Sequence, residues 1–240
     1  MKMRTARECT GLGGKLLDPQ EHLDFAKAQP EEDVGWVAPF WLVGSQIGHK
    51  DRANLVEWMA EVQDYLDLSD ITLHLAVANV DRVLTQIDFD PEEFQLLGLA
   101  SLLVAAKAEE DIVPSMDNLL QMAGGVFSKK DLARVEVELL MTLNWRMRKV
   151  TAAVWLHLYN QNIPSGRKVV FKLAKAILDL SLTQEWHGTV SPSKMASSCL
   201  MAASCLLGKG WPQDLANLTG YKVGQLTYFM TAALRYTSPL

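Results

Sequence analysis

The 240-residue chain is long enough for one large domain or for two domains of about 100–120 residues each. Its hydrophobic content of 49% and charged content of 21% are ordinary for a globular protein with a substantial core. The net charge of −5 argues against a nucleic-acid-binding protein that relies on a basic face. We therefore expect neither nucleic acid nor membrane among its partners.

The cysteines and the N terminus indicate a compartment. Cys9, Cys199 and Cys205 form neither a disulfide framework nor a metal-ligand spacing. Cys199 and Cys205 fall in one predicted helix and point about 120° apart, so they cannot bridge within it. No metal site or cofactor is expected. The N terminus has basic residues but no apolar run behind them, so we expect no secretory signal. These features predict a nuclear and cytoplasmic protein with reduced thiols.

The first predicted element is a short N-terminal helix. Asp18-Pro19-Gln20-Glu21 has the cap residue, the first-turn proline and the acid that open a helix, which extends to about Ala28. An irregular segment from Val34 to Ile47 follows, with three large aromatic side chains that either pack on the core or contact a partner. These aromatic residues are Trp36, Phe40 and Trp41.

The next five predicted helices surround one uncharged stretch. Amphipathic spacing predicts helices over 52–66 and 70–86, and Asp90-Pro91-Glu92-Glu93 opens a central helix. That helix contains Leu96–Ala106 without a single charge, and a helix that is apolar on every side must be covered by other helices. The run is far shorter than the ~20 residues that span a bilayer. A short helix over Met116–Met122 and one from Ser128 to Leu143 complete the set.

The second half repeats this pattern, with helices predicted over 151–161, 166–184, 193–207, 213–218 and 223–236. Its third helix begins at Ser191-Pro192 and contains a second uncharged run. The sequence therefore predicts an all-α fold of two five-helix bundles, each around a buried central helix. We expect an N-terminal helix and aromatic segment at 1–50, the first bundle at 51–148 and the second at 149–240.

Six stretches of the first half resemble the cyclin family in their order and spacing. They are Arg52–Met59, Thr72–Val77, Asp81–Leu84, Gln95–Gly98, Lys107–Glu110 and Ser128–Lys130. They correspond to a cyclin box over about residues 50 to 150, whereas the second half shares only the helix pattern. The resemblance implies a tandem cyclin fold and a non-catalytic regulatory subunit. Such a subunit binds a cyclin-dependent kinase and activates it by repositioning its C-helix and activation loop, which promotes cell-cycle progression.

The resemblance assigns the kinase contact to two charged residues. Lys107 matches the family's lysine that hydrogen-bonds the kinase loop before the C-helix, and Glu136 matches its paired glutamate. Opposite charges on rigid helices can bond backbone carbonyls and amides of a partner. On periodicity alone, Lys107 could instead complement its helix dipole and Glu136 could lie on a solvated face. Apolar candidates for the same surface, which could equally be core, are Leu103, Ala106, Leu119, Phe127 and Leu132.

The first helix departs from the family pattern at the patch that recruits Arg-x-Leu peptides of substrates and inhibitors. That patch usually opens Met-Arg-Ala-Ile-Leu, but Asp51 replaces the methionine and Asn54 replaces the isoleucine. Two polar residues in a small apolar groove remove about 1–3 kcal/mol of burial and add desolvation costs. We therefore expect altered, weakened docking. The retained patch residues are Leu55, Trp58, Glu61 and Gln95.

Two further interpretations concern origin and function. No destruction box, no Leu-x-Cys-x-Glu motif and no long tail rich in Pro, Ser and Thr is visible in the sequence. This compact form resembles the herpesviral cyclins. A truncated cellular cyclin would look similar; a viral chain would act in its host cell. The alternative function is a cyclin-fold adaptor in transcription that binds peptides or DNA. The acidic balance and the presence of both Lys107 and Glu136 argue against it, and co-purification with an active kinase would discriminate.

Overall fold

The computed structural model describes residues 46–162 and 168–237, and it is helical in both ranges. The first half contains α1 (His49–Tyr65), α2 (Asp70–Leu84), α3 (Phe94–Glu109), α4 (Met116–Met122) and α5 (Lys129–Thr142). The second half contains α6 (Ala152–Asn162), α7 (Lys168–Ser181), α8 (Pro192–Leu206), α9 (Gln213–Thr219) and α10 (Val223–Thr237). The all-α prediction is confirmed. The predicted helix at Asp18 and the three aromatic residues before Ile47 lie outside the described residues.

Local sequence sets several helix starts in the first half. The Ser69 hydroxyl accepts a hydrogen bond from the Thr72 N–H at 3.2 Å, and Ser115 does the same for Asn118 at 3.2 Å. Each hydroxyl satisfies an N–H group that has no partner inside the helix. Asp90 was expected to open the central helix directly, but a single 3₁₀ turn, Pro91–Glu93, stands between it and α3.

The central helix α3 organises the first bundle. Every residue from Leu96 to Ala106 is buried, because α1, α2, α4 and α5 all pack against it. The close approach of α1 requires Gly98, since a Cβ atom at this position would lie 2.9 Å from the Leu55 Cδ1 atom. In the second bundle, α8 takes the same central place among α6, α7 and α10.

Two hydrophobic cores meet at a seam between the halves. The first core receives Leu182 from the second half, and the second core receives Ile71 from α2. The halves therefore share side chains across their contact.

Within the described ranges, no helix is long and apolar enough to cross a bilayer.

A buried ion pair joins the seam to the first helix. Arg52 donates from Nε to Asp81 Oδ1 at 2.6 Å and from Nη2 to Asp81 Oδ2 at 2.7 Å. Its Nη1 donates to the carbonyl of Leu182 at 2.7 Å, so one guanidinium connects α1, α2 and the second half. Burial alone would lower the pKa of Arg52, but the Asp81 charge and hydrogen bond raise it, and the guanidinium stays charged.

A second polar cluster crosses the seam beside it. His157 Nε2 lies 3.0 Å from Asp70 Oδ2, and Lys175 Nζ lies 3.4 Å from the same oxygen. Lys175 also pairs with Asp179 at 2.9 Å, and Asp179 lies 3.1 Å from the buried His74. Burial would raise the pKa of Asp70, but the hydrogen bond from His157 and the surrounding positive charges lower it overall. The charged form of Asp70 is therefore stabilised in the folded chain.

We expect Asp70→Asn to lower the free energy of unfolding at pH 7 by about 1–3 kcal/mol. Because the folded pKa of Asp70 lies below its usual 3.8, its contribution is present in full above that pH. It is lost progressively as the pH falls below 3.8 toward the folded pKa. Urea denaturation of both proteins from pH 7 downward should show the difference narrowing in acid. If the two proteins differed in free energy of unfolding by the same amount at every pH, the lowered pKa of Asp70 would be contradicted. Asp64→Asn, at an exposed site on α1, is the matched control.

Candidate functional site

The structure brings the two predicted charged residues together. Lys107, on the last turn of α3, places its Nζ atom 2.5 Å from Oε1 of Glu136 on α5. The lysine side chain is 47% exposed, whereas the glutamate side chain is only 12% exposed. A rigid pair of opposite charges thus reaches the surface from two packed helices. The kinase-binding role of the pair stays a prediction.

Neighbouring side chains fix the end of α3 on which Lys107 sits. Glu110 Oε1 accepts hydrogen bonds from the Ser69 N–H at 2.7 Å and from the Thr72 hydroxyl at 2.5 Å. Arg148, from the segment between the two halves, donates to the Ala108 carbonyl at 2.7 Å. The C-terminal turn of α3 is therefore tied both to the start of α2 and to the segment that connects the two halves.

Helix α5 is held in a similar way. Ser128 and Asp131 cap its first turn reciprocally, with the Ser128 N–H donating to Asp131 Oδ2 at 2.9 Å. Lys129 pairs with Asp117 of α4 at 2.7 Å, and Arg134 pairs with Glu93 of the 3₁₀ turn before α3. These contacts fix Glu136 relative to Lys107 before any partner binds.

The structure corrects most of the predicted apolar contact surface. Four of the five predicted residues are at most 1% exposed, because they face the interior between α3, α4 and α5. They belong to the core beneath the charged pair, and because they are buried they cannot contact a partner in this conformation. These four are Leu103, Ala106, Leu119 and Leu132, and Phe127 is half-buried against the same core.

The exposed apolar side chains lie on a different face. Val137 and Met141, one turn apart on α5, are 51% and 65% exposed, and Trp145 just beyond the helix is 64% exposed. Ile112, five residues after Lys107, is also exposed. For Val137 and Met141 the sequence did carry a signal, since both lie outside the buried stripe of α5 that begins at Leu132. Val137 and Met141 therefore expose apolar surface on the helix that carries Glu136.

Trp145 is held out in a strained conformation. Its φ is 60°, which is uncommon for a bulky residue, and Asn144 before it has a φ of 50°. The Trp145 N–H donates to the Leu140 carbonyl at 2.8 Å and closes the end of the helix. Strain of this kind, of order 1–3 kcal/mol, is concentrated at functional positions in proteins.

A groove of about 340 Å³ lies between α1 and the start of α3. Five of the six predicted peptide-docking residues line it: Asp51, Asn54, Leu55, Trp58 and Gln95. Three more lining residues were not predicted, because they come from outside the family motif: Ile47, Pro91 and Phe94. Glu61 lies one turn beyond Trp58 on α1 and does not line the groove.

Comparison with known families accounts for most of the chain. The family described as "Cyclin, N-terminal domain" matches residues 38–148, and the family described as "Cyclin, C-terminal domain" matches residues 150–238. Together the two matches cover both helical halves.

Individual relatives agree with this assignment. The chain is 31% identical over 198 residues to "G2/mitotic-specific cyclin-2" of Medicago sativa, covering 81% of this chain and 60% of the relative. It is 29% identical to "G2/mitotic-specific cyclin-B3" of Gallus gallus, covering 86% and 53% respectively. The chain thus spans about half the length of the curated relatives it matches. A viral cyclin from herpesvirus saimiri shares the fold, with a TM-score of 0.75 and 18% identity over 91% of this chain and 95% of that one. The chain belongs to the cyclin family.

Proposed function

We propose that this chain is a non-catalytic regulatory subunit that binds and activates a cyclin-dependent kinase. The observation that carries the proposal is the 2.5 Å pair of Lys107 and Glu136, presented at the surface by two fixed helices. Membership of the cyclin family supports it, and so does the exposed apolar surface on the same helix as Glu136. A subunit with this function would act in the nucleus and cytoplasm during cell-cycle progression.

The pair can bind a partner through its backbone. A lysine ammonium carries three donors and a carboxylate carries only acceptors, so together they match the carbonyls and N–H groups of an exposed segment. In the free chain the two groups satisfy each other, and binding replaces that contact with contacts to the partner. Because both helices are already fixed, little conformational entropy is lost on binding.

Exposed apolar residues near the end of α5 would supply contact area to the kinase that a single charged pair cannot provide. Val137, Met141 and Trp145 are all more than half exposed, and aromatic and methionine side chains are enriched in interface cores. Buried apolar surface beside the charged pair would hold the kinase C-helix in its active position. The kinase then shifts toward a state in which its own glutamate meets its ATP-binding lysine.

Mixing the purified chain with purified cyclin-dependent kinases tests the proposal directly. Size-exclusion chromatography should show a one-to-one complex with at least one kinase, and histone phosphorylation by that kinase should rise when the chain is added. A chain that binds DNA or transcription-factor peptides but none of the kinases would instead support the adaptor function.

Docking of substrates and inhibitors through the α1 groove is proposed to be weakened. Asp51 and Asn54 put a carboxylate and an amide where an aliphatic side chain would have to be buried. We expect an Arg-x-Leu peptide to bind the double variant Asp51→Met/Asn54→Ile at least about tenfold more tightly than the natural chain. Calorimetry measures both affinities, and equal affinities would show that the two polar residues do not control docking.

A further inference from the structure

The two halves of the chain carry opposite net charges. Residues 149–240 contain nine lysines and arginines against three aspartates and glutamates, which is a net charge of +6 with histidine neutral. Residues 1–148 contain fourteen against twenty-five, which is a net charge of −11. A charged surface attracts ligands of the opposite sign, so the halves favour different partners. The second half is the part of this acidic protein that can attract an acidic ligand.

Helix α7 of the second half presents a continuous exposed stripe on its outer face. The exposed residues follow one another at spacings of three and four, so they lie side by side along the helix for about three turns, or roughly 18 Å. Val169 is 60% exposed and Leu180 is 54% exposed, although the opposite face of α7 is buried in the second core. The members of this α7 stripe are Lys168, Val169, Lys172, Ala176 and Leu180.

The acids of the second bundle leave the two lysines of the α7 stripe available for a ligand. Asp179, on the same helix, faces the seam, where Lys175 binds it at 2.9 Å. Glu185 lies 3.2 Å from a histidine of α1. Within residues 46–162 and 168–237, neither Lys168 nor Lys172 has a side-chain hydrogen bond or an ion pair. Their positive charge therefore faces solvent beside exposed aliphatic surface.

We propose that the α7 stripe docks an acidic amphipathic helix of a partner protein. Carboxylates of that helix pair with Lys168 and Lys172 near one end of the stripe, and its aliphatic side chains cover Val169 and Leu180. The small Ala176 lies between these two apolar residues, where the partner helix approaches most closely. Apolar positions 169, 176 and 180 have the spacing of a helix–helix contact, because rows of residues four apart on one helix fit the grooves of another.

The apolar part of the α7 stripe distinguishes this ligand from a nucleic acid. A phosphate backbone is bound by many cations at once, and its affinity depends on how many lysines and arginines contact phosphates. The stripe offers only two cations among three aliphatic residues, and a phosphate lying on the aliphatic part would lose water without a hydrogen bond in return. A helix that carries both carboxylates and leucines satisfies both parts of the surface.

Titration of the ¹⁵N-labelled full chain with designed peptides tests the proposal by NMR. Two alanine-based helices carry leucines along one face, flanked by glutamates in the first peptide and by lysines in the second. The glutamate peptide should shift the backbone amide signals of Lys172, Ala176 and Leu180 and bind at least about tenfold more tightly than the lysine peptide. Equal affinities, or no shifts with the glutamate peptide, would overturn the proposal.

Other occupants of the α7 stripe give different results in the same experiment. A single-stranded oligonucleotide that bound at these signals more tightly than the glutamate peptide would overturn the proposal and identify a nucleic-acid surface. Shifts of the same signals when the chain alone is diluted would also overturn it, because they would identify a second copy of the chain as the occupant.

Two pairs of charge reversals distinguish the α7 stripe from the overall charge of the second half. Lys168→Glu/Lys172→Glu should bind the glutamate peptide at least about tenfold less tightly than the natural chain. Lys209→Glu/Lys222→Glu changes the net charge by the same amount at exposed sites outside α7, and it should bind as the natural chain does. An equal loss of affinity in both variants would show attraction by net charge alone and would overturn the proposed site.

One further variant tests the apolar part of the α7 stripe. Leu180→Ser should weaken binding of the glutamate peptide by about threefold or more, while thermal unfolding changes little because this side chain is exposed. Unchanged affinity would overturn the aliphatic contact. Because no kinase is present in any of these titrations, their outcome is independent of kinase activation.

Discussion

The double variant Lys107→Ala/Glu136→Ala is expected to lose at least about 100-fold in affinity for the kinase that the natural chain binds. Each residue offers a charge-assisted hydrogen bond to the partner, worth about 1.5–3 kcal/mol, and every 1.4 kcal/mol is a factor of ten. The fold should survive, because a partly exposed ion pair contributes only about 0–1 kcal/mol to stability. Calorimetric titration with the kinase measures the first effect, and circular dichroism with thermal unfolding measures the second.

A charge-swapped variant distinguishes partner binding from a role inside the chain. Lys107→Glu/Glu136→Lys keeps an ion pair between α3 and α5 but presents each charge at the other's position. We expect it to bind the kinase as poorly as the double alanine variant. Lys172→Ala/Glu57→Ala removes one charge of each sign from exposed sites on α7 and α1 and should bind normally. Full kinase affinity in the swapped variant would show that the pair only supports the fold.

The helices follow from local sequence, whereas the charged pair does not. Apolar spacing, cap residues such as Asp90 and Ser128, and the uncharged run of α3 are properties of short segments, so the sequence was sufficient to predict the helices. Lys107 and Glu136 are 29 residues apart, and it is the family resemblance that identified them as partners. Their distance in the structure depends on the packing of α3 against α5.

Exposure could be predicted from the sequence only in part. Leu103 and Val137 are both apolar residues on helices of the first bundle, yet one is 1% and the other 51% exposed. Which face of a helix is covered depends on the neighbouring helices, and periodicity does not determine their placement. The seam is a stronger case, because Arg52 and Leu182 are 130 residues apart and the carbonyl that accepts the hydrogen bond has no signature in the sequence.

Removal of Arg52 should have the largest effect on stability. Its side chain is 3% exposed and that of Asp81 is 9% exposed, so Arg52→Ala leaves a carboxylate buried without its partner. Breaking a buried pair in this way costs about 3–5 kcal/mol, a large part of the 5–15 kcal/mol that stabilises a typical domain. Urea denaturation should show this loss. Hydrogen exchange should quicken at the seam because the contact with the Leu182 carbonyl is also lost.

Two further variants show whether the lost stability comes from the unpaired, buried charge of Asp81 or from the missing contact with the Leu182 carbonyl. Arg52→Met/Asp81→Leu removes both charges and should be less destabilised than Arg52→Ala, since no unpaired carboxylate remains in the interior. Arg52→Lys keeps the charge but cannot reproduce the two-pronged contact with Asp81 together with the bond to Leu182, so it should fall between the natural chain and Arg52→Ala. The single variants Arg52→Met and Asp81→Leu complete the comparison. If the double variant lost as much free energy of unfolding as these two single variants together, Arg52 and Asp81 would not be coupled. In that case the guanidinium would stabilise the chain chiefly through the carbonyl of Leu182, and the seam itself would be the part of the fold that depends on it.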